Sequence, residues 1–294
     1  LPIPAFGTRH IQLNNYQIAG AYGTYLIEAA GGEEADLRQL YCLTMFYRFS
    51  SSSSTKPVEY AFAIPVNNPL RGETYGLFNS YNPILDQTPV FNWLSIYNPG
   101  AAPFSASVQV FRQDGTIDPA AGFYIAGLAP GERRDYPLGH PLGQVVGLYR
   151  IIADDPQAPY GAFLSRYSQR QNGSFNFAFA VAAANGSCRP GPITASTMDP
   201  ATNWAEIANL TAEQLAAEIT VRDAAGVIRH NTVVFLPPFF QHHVYLNQYI
   251  GERQVGSIEA RCLDENAPGA GLLSQSVFYG HRDLARQSIE WSYI

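Results

Sequence analysis

Apolar positions along the chain fall in short runs with a period of two, each bounded by Gly, Pro, Asn or Ser, as half-buried β-strands require. The runs recur in order. Residues 3–13 (IPAFGTRHIQL) return as 128–138 (LAPGERRDYPL) and 236–246 (LPPFFQHHVYL), each an apolar residue, a small or Pro-rich turn, a polar triplet and apolar-x-Leu. Behind each copy, 22–29 matches 146–153 and 255–262, 43–47 matches 163–167 and 275–279, and 59–64 matches 176–181 and 290–294. In the last set large residues alternate with small or polar ones, which marks one face as core.

Two further pairs complete the pattern. Residues 92–98 (NWLSIYN) match 203–209 (NWAEIAN), and 108–115 (VQVFRQDG) match 219–226 (ITVRDAAG), both 111 residues apart. Asp114-Gly115 is a hairpin signal, since tight turns that fit strand twist need positive φ. Short strands at 123–126 and 232–235 lead back to the opening stretch. The best helical candidate, 210–217, aligns with the Pro-containing stretch 99–106 and reads as a turn.

Each full repeat thus carries about seven strands and suits a sandwich of about 100 residues. The expected fold is all-β: tandem antiparallel β-sandwich (immunoglobulin-like) modules, two complete and one half module at the N-terminus. The boundaries read 1–85 for the incomplete first module plus linker, 86–197 for the second module plus linker and 198–294 for the third. Segments 65–91 and 182–202, rich in Asn, Pro, Gly and Ser, read as the joining stretches, and 50–54 as a flexible insertion. Trp93, Trp204 and Trp291 are expected as core anchors. The first copy lacks the Asn-Trp strand and the Asp-Gly hairpin strand, so either the natural protein extends upstream or other strands, for instance from a neighbouring subunit, complete it.

Composition narrows the role. The net charge is -6 with 14% of residues charged and no basic stripe, which argues against nucleic-acid binding. No apolar run approaches the roughly 18 residues of a membrane span, and residues 1–6 lack the features of a signal peptide, so an exported form would have had its signal removed already. Lys56 is the only lysine, which leaves little scope for a Lys–Asn cross-link. Of Cys42, Cys188 and Cys262 not all can pair; a Cys188–Cys262 bridge and buried thiols both stand, with thiols favoured for Cys42 and Cys262 in strand-like runs.

Candidate chemistry is sparse. His242 and His243 are adjacent, so in a strand they face opposite ways and cannot share a metal, and His10 matches Asp135 in the next copy. Acidic pairs at Asp154-Asp155 and Glu33-Glu34 lack calcium-loop spacing and read as solvated turns. No cofactor, metal or catalytic residue is expected. Tyr75, Phe78, Tyr81 and Phe91 cluster in the first joining stretch, as a glycan-stacking face or as a plug between modules. Asn172, Asn185 and Asn209 begin N-x-S/T triplets that fit glycosylation acceptors.

The Asn-Trp-x-x-Ile-x-Asn opening, the V-x-V-x-x-x-x-G hairpin and the L-x-P-x-x-x-x-x-x-x-L return resemble the tandem immunoglobulin-like β-sandwich repeats of bacterial exported surface proteins. The resemblance implies export to the cell surface or exterior. It also implies a non-enzymatic structural role in a fibre, stalk or layer, with self-association or other surface proteins as partners. Glycan binding through the linker aromatics is the alternative.

Overall fold

The alternation becomes paired strands in a computed structural model of the protein, which describes residues 8–16, 25, 27, 42–49, 58–65, 68–81, 88–139, 145–169, 175–198, 200–264, 271–281 and 289–293. The first-copy runs at 3–13 and 22–29 lie wholly or partly outside these residues. A hairpin of β1 (Leu43–Phe49) and β2 (Val58–Pro65) comes first. The first sandwich follows with β3 (Glu73–Asn79), β4 (Val90–Tyr97), β5 (Phe104–Arg112), β6 (Phe123–Leu128), β7 (Arg133–Leu138), β8 (Val146–Ala153), β9 (Gly161–Gln169) and β10 (Phe175–Ala182). Its two antiparallel sheets run β3-β8-β5-β6 and β10-β9-β4-β7.

The second sandwich repeats this order with β11 (Ile193–Ser196), β12 (Ala201–Asn209), β13 (Leu215–Asp223), β14 (Ile228–Leu236), β15 (Gln241–Tyr245), β16 (Val255–Cys262), β17 (Leu272–His281) and β18 (Ile289–Tyr293). Its sheets are β11-β16-β13-β14 and β15-β12-β17-β18. One helical turn, α1 (Asn247–Ile250), follows β15, and the 210–217 stretch is a bend leading into β13. The fold is therefore all-β and built of antiparallel sandwiches, with every repeated run of the last two copies in a corresponding strand.

The opening strands, β3 and β11, lie inside the stretches read as linkers. Polar and Pro-rich flanks hide them, and β3 carries Gly76 in its middle because a Cβ there would lie 2.2 Å from Tyr149 Oη. They also set the topology apart. The first strand of each sandwich lies beside the sixth and the seventh beside the second, whereas constant-type immunoglobulin domains order their strands ABED and CFG.

Period-two alternation fills each interior. Leu94 and Ile96 of β4 pack with Phe104, Val108, Tyr149 and Leu164, all buried. Ile207, Ile219, Val221 and Ile258 do the same in the second sandwich. Each such side chain contributes roughly 1.5–3 kcal/mol on burial.

The two asparagines of the repeated motif bound this core. Asn92 and Asn203 accept from the backbone N–H of Asn79 and Ser196, holding the opening strand in place. At the other end Asn98 donates to the carbonyls of Ala102 and Leu128, and Asn209 to those of Glu213, Leu236 and Pro237. Buried carbonyls at strand ends need such donors, which is why Asn recurs where the strand pattern alone would place an apolar residue.

The cysteines correct an expectation. Cys188 and Cys262 form a disulfide, with Cα atoms 4.9 Å apart. The Cys262 N–H also donates to the Cys188 carbonyl, as Ala153 N–H does to Gly72 in the first sandwich. Strand pairing brings both residues together, although Cys188 lies in an irregular stretch that gives no sequence signal. Cys42 is a free thiol.

Candidate functional site

The inward faces of β4 and β9 run on past the first core and meet the outer face of the second sandwich. On β9, Leu164 belongs to the core, while Arg166, two residues on and on the same face, lies at this joint. From the other side β12 turns Ala205 and Ile207 into its own core and Trp204 and Glu206 outward.

Arg166 and Glu206 meet in a two-pronged pair with bonds of 3.1 and 3.2 Å, and their side chains are 0% and 2% exposed. Asn79 donates to the same carboxylate at 3.1 Å, and Gln275 donates to its other oxygen. The Arg166 guanidinium lies 5.1 Å from the Phe179 ring. Burial pushes the Glu206 carboxyl up, but the Arg166 charge and these hydrogen bonds outweigh it and hold the group down at about 2. Neighbouring Tyr279 is pushed up to about 12, chiefly by burial. His243, opposite Glu206 in the β12–β15 register, is lowered mainly by burial, against the pull of Glu206. With both oxygens engaged and almost no exposure to solvent, the pair is a clasp between sandwiches.

Apolar contacts flank the clasp. Val90, Phe177 and Phe179 of the first sandwich pack with Val277, Tyr279 and Ile289 of the second, with Trp204 at the margin. On the far side Tyr75, Leu77, Phe111 and Leu148 pack with Ala208 and Leu210.

Into this second patch comes Phe239, from the turn of the thrice-repeated stretch. Its ring stacks on Phe111 at 4.3 Å, under the Arg150 guanidinium at 5.9 Å. Phe239 has φ 54, a left-handed conformation that costs a side-chain-bearing residue energy, whereas its counterpart Gly131 adopts φ 76 freely. The same turn meets the Asp114-Gly115 hairpin: Gln241 N–H donates to the Gln113 carbonyl at 3.0 Å, and a Cβ on Gly115 would lie 2.0 Å from the Pro238 oxygen.

The structure divides the residues expected as a glycan face. Phe78 is 1% exposed in the first core and Tyr75 2% exposed in the joint, so neither ring can stack on a sugar; Tyr81 is 44% exposed, and Phe91 stacks on Tyr167 at 5.2 Å. The plug is the arrangement found for Tyr75.

Trp93 and Trp204 lie outside the cores. Trp93 is half-buried on the outer face, donating to Tyr167 Oη at 3.1 Å, and Trp204 packs at the joint. Each is the fourth residue of its strand, one step before an inward-facing residue, Leu94 or Ala205. Trp291 lies in β18, its side chain outside the described residues.

His10 is exposed; His242 and His243 both border an open cleft of about 360 Å³ with His230, Thr232 and Tyr249, and His243, opposite Glu206 across the strand pair, also feels the charges of the joint. Among the described residues no group of three or more His, Cys, Asp or Glu is placed to hold a metal, and no helix is long and apolar enough to cross a membrane. Asn209, 0% exposed with its amide engaged, is closed to glycosylation.

Arg166, Glu206, Asn79, Gln275 and Phe239 were not singled out from sequence. A signal existed: Arg166 occupies a strand position that is Phe46 and Phe278 in the other copies, and Glu206 one that is Ser95. A charge at a repeat position that the other copies fill with an uncharged residue calls for a partner of opposite charge.

No known protein family and no curated protein matches the sequence. Among solved structures, similarity extends to an infectious bursal disease virus VP2 subviral particle, at 8% identity and TM-score 0.18 over 81% of this chain and 70% of that one. A Ruminococcus gnavus β-glucuronidase matches at 11% identity and TM-score 0.19 over 86% of this chain and 42% of that one. Scores this low carry no argument about role.

Proposed function

We propose that the protein is a non-enzymatic structural component of the cell exterior, whose sandwiches serve as rigid building blocks of a fibre, stalk or surface layer. The observation that carries this reading is the joint: two sandwiches linked by a short segment are held by a sealed ion pair and apolar patches, as a load-transmitting unit needs. The disulfide is compatible with an oxidising compartment.

Strand complementation of the N-terminal hairpin belongs to the same proposal. Among the described residues β1 pairs only with β2, and Met45 and Tyr47 are 44% and 56% exposed. Its counterparts β9 and β17 are each flanked on the other edge by an Asn-Trp strand, β4 or β12. A strand of that type, supplied by another part of the protein or by a neighbour, fits the edge of β1 that no described strand occupies.

Electron microscopy of native material tests the role. Extended or layered assemblies of regular repeat are expected, and dispersed compact monomers at physiological salt and pH would refute it.

A further inference from the structure

The two sandwiches share a fold but not their joint-forming residues, and the differences are paired. On the face that the second sandwich presents stand Glu206, Gln275 and Phe239; the strand registers place Ser95 and Phe163 at the first two positions in the first sandwich, and the turn alignment places Gly131 at the third. On the face that receives it, the first sandwich has Arg166, Leu77, Leu148 and Phe111. The second has Phe278, Thr194, Ser257 and Arg222 at those positions.

The last three form one cross-strand row in each sandwich. In the first, Leu77 pairs with Leu148 and Leu148 with Phe111, all buried in the joint; in the second, Thr194 pairs with Ser257 and Ser257 with Arg222, and Thr194 is exposed.

We infer that the joint is a keyed recognition surface, in which the Arg166 face of the first sandwich accepts a Glu206-bearing sandwich and no other kind in this chain. Two sandwiches of the second kind would set Glu206 against Phe278, burying a carboxylate without a cation. Two of the first kind would set Ser95 against Arg166, leaving a guanidinium unpaired. Either is strongly unfavourable, since breaking one side of a buried pair costs far more than replacing both. The key fixes module order, and it stops the second sandwich from receiving a further copy of itself through this surface, so the joint does not propagate into an open-ended stack. The inference concerns which sandwich fits which and holds whatever the role of the assembly.

Amide hydrogen exchange in the full chain tests it, because the Gln241 N–H donates across the joint to Gln113 while core amides of β4 and β13 report each sandwich separately. Glu206→Ser and Arg166→Phe, each installing its repeat counterpart, should speed Gln241 exchange by roughly a hundredfold or more, with core amides much less affected. The double variant Arg166→Phe/Glu206→Ser should return it to within roughly tenfold of the native rate. Single variants that exchange as slowly as the native chain would overturn the key, as would a double variant as open as the singles. If a single variant does not fold, the double decides alone: closed supports the key, open refutes it.

Discussion

Phe239 separates what a residue gives to the joint from what its backbone withholds. Truncation to Ala removes the ring from Phe111, its partner at 4.3 Å, and from Arg150. A fully buried Phe lost to Ala costs about 3–5 kcal/mol. Phe239 is only partly buried, so about half of that, roughly 2 kcal/mol, is expected.

Truncation to Gly removes the same ring but also relieves φ 54. That relief amounts to about 1–2 kcal/mol, against about 0.4–1 kcal/mol lost to the freer unfolded chain. Phe239→Gly should therefore be more stable than Phe239→Ala by about 0.5–1 kcal/mol, the reverse of the usual order. Urea titration of both variants beside the native chain measures the difference. A Gly variant no more stable than the Ala variant would refute the claim that this turn carries strain in order to place a ring in the joint.

Three further outcomes are expected. Gly115→Ala, whose Cβ would meet the Pro238 oxygen at 2.0 Å, should destabilise by about 2 kcal/mol or more, while Gly226→Ala, at φ 79 with nothing within 4 Å, should cost only about 1 kcal/mol; thermal denaturation compares them. Reduction of Cys188–Cys262, or the double Ala variant, should lower the stability of the second sandwich by about 2–4 kcal/mol and leave the first unchanged, read by hydrogen exchange in β13 and β5. Because the Glu206 carboxyl is held near 2, below its unfolded value, the native state binds fewer protons. Its contribution is present above about pH 4.5 and is lost as pH falls toward 2, so the native chain should lose more stability than Glu206→Gln over that range in paired urea titrations.

Strand identity was legible because alternation and turn chemistry are local. Asn92–Ile96 and its repeat announced themselves, and so did the hairpin at Gly115. β3 was lost because Gly76 breaks the run of side chains at its centre, for a reason that lies on another strand, in the ring of Tyr149. Trp93 is expected as a core anchor of the sandwich, yet its alternation with Asn92 and Leu94 turns it outward.

The clasp could not be read as a site, since Arg166 and Glu206 belong to different modules and nothing local to either announces the other. What the sequence did carry was each half of it as a mismatch between copies.

The strained turn also bears on mechanics. A joint of flexible linker alone would let one sandwich swing about the other under thermal agitation or pull. Here tilting that parts the sandwiches at either contact must lift the Phe239 ring off Phe111 or draw Arg166 away from Glu206, and the buried ion pair has almost no water at hand to replace what is lost. Resistance to bending should therefore be high up to a threshold and then fail abruptly, more like a snap fastener than a spring.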